Sequence, residues 1–175
     1  MLKIFTTQLS GLFKRIHDQE EEAIEDGARM LAQSAISGHT VYIYGKNEFS
    51  GIAKEAIYGR ETLPYVKEFP EEIGEITPQD KVLMFLQGTT EQDELDLVRS
   101  LHEQETGIIA VSTEGREAFE NYCDVWIDTK LKKPLVPDDT GERIGYPSLM
   151  AGLYVYHALA LTLKEILDEY ENEDY

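Results

Sequence analysis

Cysteine is almost absent from this sequence, with Cys123 the one thiol among 175 residues. A single thiol excludes an intramolecular disulfide and a cysteine-rich zinc site. Basic side chains are scarce as well, because 16 Lys and Arg stand against 34 Asp and Glu and leave a formal net charge of −18. Nucleic acids and anionic membrane surfaces attract proteins through clustered bases, so we expect no nucleic acid and no membrane as a partner.

Long hydrophobic runs are also missing, and apolar stretches such as residues 82–86 are far shorter than the roughly 20 residues of a membrane-spanning helix. The N-terminal segment carries no small-residue cleavage site, so we expect a cytoplasmic protein without a secretory signal. The 42% of hydrophobic residues suffices for one substantial core. We therefore expect a single domain over residues 1–175, with its core over about 20–168 and an acidic tail over 169–175.

Hydrophobic periodicity predicts that helices alternate with buried strands. Apolar residues recur at helical spacing up to Gly38, which supplies a helix end, and the acidic block 18–22 is expected to be a solvated face or a joint. Strands are predicted at 40–44, 63–69, 81–86, 107–112 and 124–128, and a last helix at about 148–170. This alternation is typical of an α/β fold: a three-layer α/β/α sandwich with a mainly parallel sheet of about five strands and long N- and C-terminal helices.

Polar residues follow three of the predicted strands, in the position where ligands of parallel sheets bind. Strand by strand, they are Gly45, Asn47 and Ser50; Gly88, Thr89 and Thr90; and Ser112 and Thr113. Their hydroxyl and backbone N–H groups are able to cradle a phosphate or a carboxylate. The alternative is that the hydroxyls of Ser50, Thr90 and Thr113 each cap the helix that follows.

Charged residues near the same edge point in two directions. The segment 130–143 holds four of the chain's 16 bases, namely Lys130, Lys132, Lys133 and Arg143. One interpretation is a mobile lid that supplies Arg143 to a bound anion, and the other is a charged surface loop. By contrast, the helix after the third predicted strand begins with Glu91, Asp93 and Glu94, which complement the helix dipole and repel a phosphate.

The order of these elements resembles the sugar isomerase (SIS) domain over about residues 20–168, and within that superfamily the phosphoheptose isomerase branch and its uncharacterised bacterial relatives. The resembling segments, in chain order, are 43–45 with Ser50, 83–90, 107–113 and 123–127. The second of these corresponds to the phosphate loop of the family. The resemblance implies a sugar phosphate as a small anionic ligand, sugar-phosphate isomerisation as the activity and a homo-oligomer, either a dimer or a tetramer.

The residues depart from that family at its phosphate loop and at its metal site. The family loop Thr-Ser-Gly-x-Ser places Leu86 and Gln87 where two hydroxyls belong. The metal-binding His and Glu of phosphoheptose isomerases fall on Ala56 and Arg60, and a Gln of the family falls on Leu149. A zinc site needs three or four converging ligands, so we predict no metal and no other cofactor.

Three functions compete at this point. The first is an aldose–ketose isomerase, which needs a base to move a proton between adjacent carbons, and the candidates are His157, Glu55 and Asp139. His157 is expected to be partly buried, because Leu153 and Leu161 lie one turn away on either side. The second is a non-catalytic regulatory module with a degenerate sugar-phosphate site, which the missing metal ligands favour. The third is an interaction protein held together by its long helices.

Overall fold

The computed structural model describes residues 1–88 and 91–173, and of Glu173 the backbone alone. The helices and strands, in chain order, are α1 (Leu2–Ile36), β1 (Val41–Gly45), α2 (Ser50–Tyr58), β2 (Val66–Glu68), β3 (Lys81–Phe85), α3 (Gln92–Glu103), β4 (Gly107–Ser112), α4 (Arg116–Phe119), β5 (Val125–Asp128), β6 (Val136–Pro137), β7 (Arg143–Ile144) and α5 (Ser148–Glu173). Single 3-10 turns at Asn47–Phe49 and Ile73–Glu75 precede α2 and β3.

Five of the strands form one parallel sheet in the order β2-β1-β3-β4-β5. Helices α1, α2 and α5 pack on one face, against side chains such as Ile43 and Ile109. Helices α3 and α4 pack on the other face, against side chains such as Val82 and Ala110. The predicted α/β/α sandwich is therefore confirmed, since strands buried on both faces require continuous apolar runs of the kind seen in the sequence.

The two long terminal helices pack against each other, and the rings of Phe13 and Tyr154 stack with centroids 4.6 Å apart. Helix α1 is a single unbroken helix, so the expected joint at 18–22 is wrong. Its predicted end is confirmed by Gly38, which adopts a φ of +72° just after the last turn. Helix α5 extends to Glu173 and so includes acids that were expected to fray into solvent. Of the helices in the described ranges, none is long and apolar enough to cross a membrane.

One acid of the block 18–22 is not solvated. Glu20 is only 7% exposed. Its carboxylate pairs with Lys130 Nζ through Oε1, and Oε2 accepts a hydrogen bond of 3.0 Å from the backbone N–H of Asp128. Lys130 adopts a φ of +58°, and its own N–H donates to Asp128 Oδ1 at 2.6 Å. This cluster ties the middle of α1 to the carboxyl end of β5.

Replacing Glu20 with Ala should lower the free energy of unfolding by about 2–3 kcal/mol, because it leaves the half-buried Lys130 ammonium without its main partner. Urea unfolding at neutral pH measures the change. Glu22→Ala removes an exposed acid from the same stretch of α1 and should change the unfolding free energy by less than about 0.5 kcal/mol. Equal losses in the two variants would show that the Glu20–Lys130 pair does not anchor α1.

Candidate functional site

A cavity of about 140 Å³ opens at the carboxyl ends of β3, β4 and β5. It is lined by Glu48, Phe49, Leu86, Gln87, Ser112, Thr113, Glu114, Thr129, Tyr146 and Ser148. Parallel strands bring their carboxyl ends to one edge, so residues distant in sequence meet here, where ligands of such sheets generally bind. We call this space the edge cavity. Two of the predicted site residues, Ser112 and Thr113, line it.

Hydroxyl groups form one wall of the edge cavity. Ser112 Oγ donates to the carbonyl of Glu114 at 3.0 Å, and the hydroxyls of Thr113 and Thr129 hydrogen-bond to each other. The backbone N–H of Thr129 donates to the carbonyl of Ser112 at 3.1 Å, which continues the β4–β5 pairing beyond the strands. The hydroxyl set is therefore held by the ends of two paired strands rather than by a free loop.

The opposite wall joins the 3-10 turn after β1 to the first residue of α5. Ser148 Oγ donates to Glu48 Oε1 at 3.0 Å. The N-terminus of a long helix carries a partial positive charge, and the Glu48 carboxylate lies beside it. Neither Glu48 nor Ser148 was a predicted site residue, although an acid within a strand-end loop is a signal that the sequence does contain. Glu48 also supplies the cavity with a hydrogen-bond acceptor.

Tyr146 closes the cavity from the segment that precedes α5. Its hydroxyl donates to the carbonyl of Leu131 at 2.6 Å. Burial, with a smaller effect of the Glu114 carboxylate, raises the pKa of Tyr146 above its usual value, so the hydroxyl stays neutral at physiological pH. Tyr146 therefore fixes the 130–146 segment against the edge of the sheet.

The predicted residues at the end of β1 do not reach the edge cavity. Ser50 does not cap α2: it is the first helical residue, and its Oγ donates to the carbonyl of Asn47 at 2.7 Å. The helix begins earlier than expected because the 3-10 turn Asn47–Phe49 leads directly into it. Gly45 and Ser50 line a separate shallow pocket with Glu68. At Gly45 a Cβ would lie 2.5 Å from the Phe49 carbonyl, which explains the glycine.

The loop after β3 contains an internal carboxylate. Gly88 has a φ of +107°, and the predicted ligands Thr89 and Thr90 lie outside the described residues. Glu94, the third residue of α3, is fully buried, and its Oε2 accepts a hydrogen bond of 2.7 Å from the backbone N–H of Gln87. Burial raises the pKa of Glu94, an effect that the Gln87 amide opposes in part. The sequence identified Glu94 as an acid near the loop but not as a group bound inside it.

Arg143 does not point to an anion-binding role. Its Nε and Nη2 atoms donate to the carbonyls of Pro134 and Leu135, each at 2.7 Å. These bonds hold a small antiparallel hairpin, β6 with β7, inside the segment that was predicted to be either a lid or a surface loop. The guanidinium therefore organises this segment, and of the described contacts none brings Arg143 to the edge cavity.

The two candidate bases lie away from the edge cavity. His157 is exposed on α5, contrary to the expected partial burial, because the apolar stripe of α5 continues past the core and leaves Leu161 59% exposed. At about 1.5 Å per residue, His157 is roughly 14 Å along α5 from Ser148. Glu55 lies on α2, where its carboxylate would contact a Cβ at Gly59. The structure therefore brings no predicted base to the hydroxyl wall.

Metal binding has no support in the described ranges, where no group of three or more His, Cys, Asp or Glu side chains is arranged to hold an ion. Ala56, which takes the place of a metal ligand of phosphoheptose isomerases, is packed in the core. Arg60, at the other ligand position, is exposed at the surface. The donors at the edge cavity are hydroxyls and single carboxylates, a set suited to hydrogen bonding with a small polar ligand.

Comparison with known proteins gives a family and a fold. The model of the family described as Domain of unknown function (DUF2529) matches residues 1–167. The chain is 56% identical over 172 residues to the uncharacterized protein YwjG of Bacillus subtilis (strain 168), which covers 97% of this chain and 99% of that protein. Two solved structures share its architecture at much lower identity.

The first is the E. coli CFT073 protein c3406 in complex with a sugar phosphate, with a TM-score of 0.69 and 17% identity over 95% of this chain and 89% of that chain. The second is phosphoheptose isomerase GmhA from Neisseria gonorrhoeae, with a TM-score of 0.63 and 12% identity over 92% of this chain and 95% of that chain. At these identities the likeness concerns the fold, and chemistry has to be argued from the site. The resemblance that the sequence predicted is confirmed at that level: the chain belongs to the DUF2529 family, and its fold is that of the sugar isomerase (SIS) domain.

Proposed function

We propose that this chain binds a sugar phosphate, or a closely related small polyhydroxylated anion, in the edge cavity, and that it does not isomerise this ligand. The supporting observation is the convergence of the Ser112, Thr113, Thr129 and Ser148 side chains at the carboxyl edge of the sheet. The E. coli protein of the same fold is a complex with a sugar phosphate, which makes this ligand class the natural first choice.

The chemistry of the edge cavity suits the sugar part of such a ligand. Each hydroxyl can donate one hydrogen bond and accept others, as sugar hydroxyls also do. The carboxylates of Glu48 and Glu114 accept hydrogen bonds from sugar hydroxyls and repel a second negative charge. A volume of about 140 Å³ is well below the roughly 300 Å³ at which sites for drug-sized ligands begin, so the cavity fits a small molecule or one end of it.

A binding role fits the placement of the bases better than catalysis does. Aldose–ketose isomerisation needs a base positioned to exchange a proton between two carbons. His157 and Glu55 lie outside the edge cavity, and Asp139 lies in the turn between β6 and β7. Such a module would sense or sequester its ligand, as the second hypothesis from the sequence holds.

An isomerase is the second candidate function, and Glu48 is the observation that favours it. Its carboxylate lines the edge cavity and is fixed at 3.0 Å by Ser148 Oγ. A carboxylate of this kind can serve as a general base when a substrate carbon lies within reach. The phosphoheptose specificity implied by the family resemblance belongs to this second candidate.

Binding of ribose 5-phosphate to the purified chain, measured by titration calorimetry, tests the proposal. We expect saturable binding that weakens about tenfold in Ser148→Ala, since a lost hydrogen bond to a charged or polar ligand costs about 1.5 kcal/mol. Ser10→Ala is the matched control, because Ser10 Oγ bonds only to the Thr6 carbonyl of its own helix. The absence of binding, or equal weakening in both variants, would contradict a ligand site at the edge cavity.

The same samples separate binding from catalysis. We expect no interconversion of ribose 5-phosphate with its ketose when the mixture is followed by NMR. Turnover that disappears in Glu48→Gln while binding persists would replace the first proposal with the isomerase.

We also propose that the chain forms a homo-oligomer in the cytoplasm and functions as one domain over its whole length. Leu161, 59% exposed, stands on α5 between two grooves of about 530 and 340 Å³, both of which His157 lines. An apolar ridge between grooves suits packing against a second copy. Light scattering should give a multiple of 19.9 kDa that falls to the monomer value in Leu161→Arg but not in Leu2→Arg, an equally apolar exposed site near the start of α1. A monomer mass for the wild type would contradict the proposal.

A further inference from the structure

The buried carboxylate of Glu94 has the surroundings of a bound anion. It is 0% exposed, and its Oε2 lies 2.7 Å from the backbone nitrogen of Gln87. Gln87 also lines the edge cavity, so the carboxylate is bound by the loop that borders the proposed ligand site. The loop turns sharply here, with Gly88 at a φ of +107°.

A carboxylate and a phosphate compete for the same partners. Both accept charge-assisted hydrogen bonds from backbone N–H groups in a turn before a helix. An N–H that already donates at 2.7 Å to a carboxylate is not free to donate to a phosphate, and two anions at one turn repel each other strongly in a buried environment.

We propose that Glu94 is an internal anion that occupies the phosphate position of the loop after β3, so that a ligand phosphate reaches the Gln87 N–H only when Glu94 is protonated or displaced. This inference rests on the proposed function for the class of ligand. It makes Glu94 a determinant of specificity: sugars without a phosphate bind unaffected, and phosphorylated ones bind against the carboxylate.

The charges around Glu94 define what pH should do. The groups that face it are the Tyr44 hydroxyl from β1, Lys46 from the loop after β1, and Glu91 and Asp93 from the beginning of α3. Lys46 Nζ is 3.9 Å from Asp93 Oδ2, so this lysine is shared with an exposed acid. Burial is the largest influence on the pKa of Glu94 and raises it, so the carboxylate is neutralised at a higher pH than an exposed glutamate.

The test compares Glu94→Gln with Asp93→Asn, which removes the same charge from an exposed neighbour. Sulfate is the first probe, because it keeps its double charge across the pH range that titrates Glu94. Ribose 5-phosphate and free ribose are the second and third probes. Glutamine retains an oxygen that can accept the Gln87 N–H, and circular dichroism with thermal melting confirms that each variant is folded.

We expect Glu94→Gln to bind sulfate and ribose 5-phosphate at least about tenfold more tightly than the wild type, Asp93→Asn to change affinity by less than about threefold, and free ribose to bind all three proteins alike. Wild-type sulfate affinity should rise as the pH falls from 8 to 5, and this rise should be absent in Glu94→Gln. The amide resonance of Gln87 in the wild type, followed by NMR, should move with the same midpoint.

Three results overturn the inference: equal effects of Glu94→Gln and Asp93→Asn, unchanged sulfate affinity in Glu94→Gln, or a Gln87 resonance that does not titrate with sulfate affinity. The two proposals fail differently. Tight sulfate binding by Glu94→Gln alongside no ribose 5-phosphate binding by the wild type would support the internal anion and contradict the proposed function. Wild-type binding of ribose 5-phosphate that Glu94→Gln does not strengthen would do the reverse.

Discussion

Parallel pairing of β1, β3, β4 and β5 is the constraint on which the rest of the structure depends. It directs every strand towards one edge, and it forces each connection to cross a face of the sheet, which places helices on both sides. The hydroxyl wall exists because β4 and β5 end together there, and α5 begins at the same edge. The Glu20–Lys130 pair then fixes α1 to the end of β5, so the longest helix is held relative to the candidate site.

Carboxylates bound to the chain's own backbone are a recurrent device in this acidic protein. Glu20 accepts the N–H of Asp128, and Glu94 accepts the N–H of Gln87. In both cases a helix supplies the acid and the end of a strand, or the loop after it, supplies the amide. A buried carboxylate is stable only when such bonds replace its lost hydration. The same bonds use amide groups that parallel sheets commonly offer to ligands, which links the stability of this edge to its selectivity.

Sequence patterns predicted the layers well because burial on both faces of a strand leaves a continuous apolar run, as in residues 81–86. They failed where the deciding partner is remote. Glu20 was assigned to solvent because its partner Lys130 lies far away along the chain. Ser50 was predicted as a cap because a 3-10 turn before α2 has no apolar period. His157 was expected to be half-buried because its helical neighbours are leucines, yet the core covers only one side of α5.

The most direct test of the account is a map of where a sugar phosphate touches the wild-type chain. Titrating isotopically labelled protein with ribose 5-phosphate and following backbone amide resonances gives that map without any substitution. The account predicts saturable shifts that cluster at Ser112, Thr113, Thr129 and Ser148, at the carboxyl edge of the sheet. Shifts that cluster instead around His157 in the grooves beside α5, or no saturable shifts at all, would contradict it.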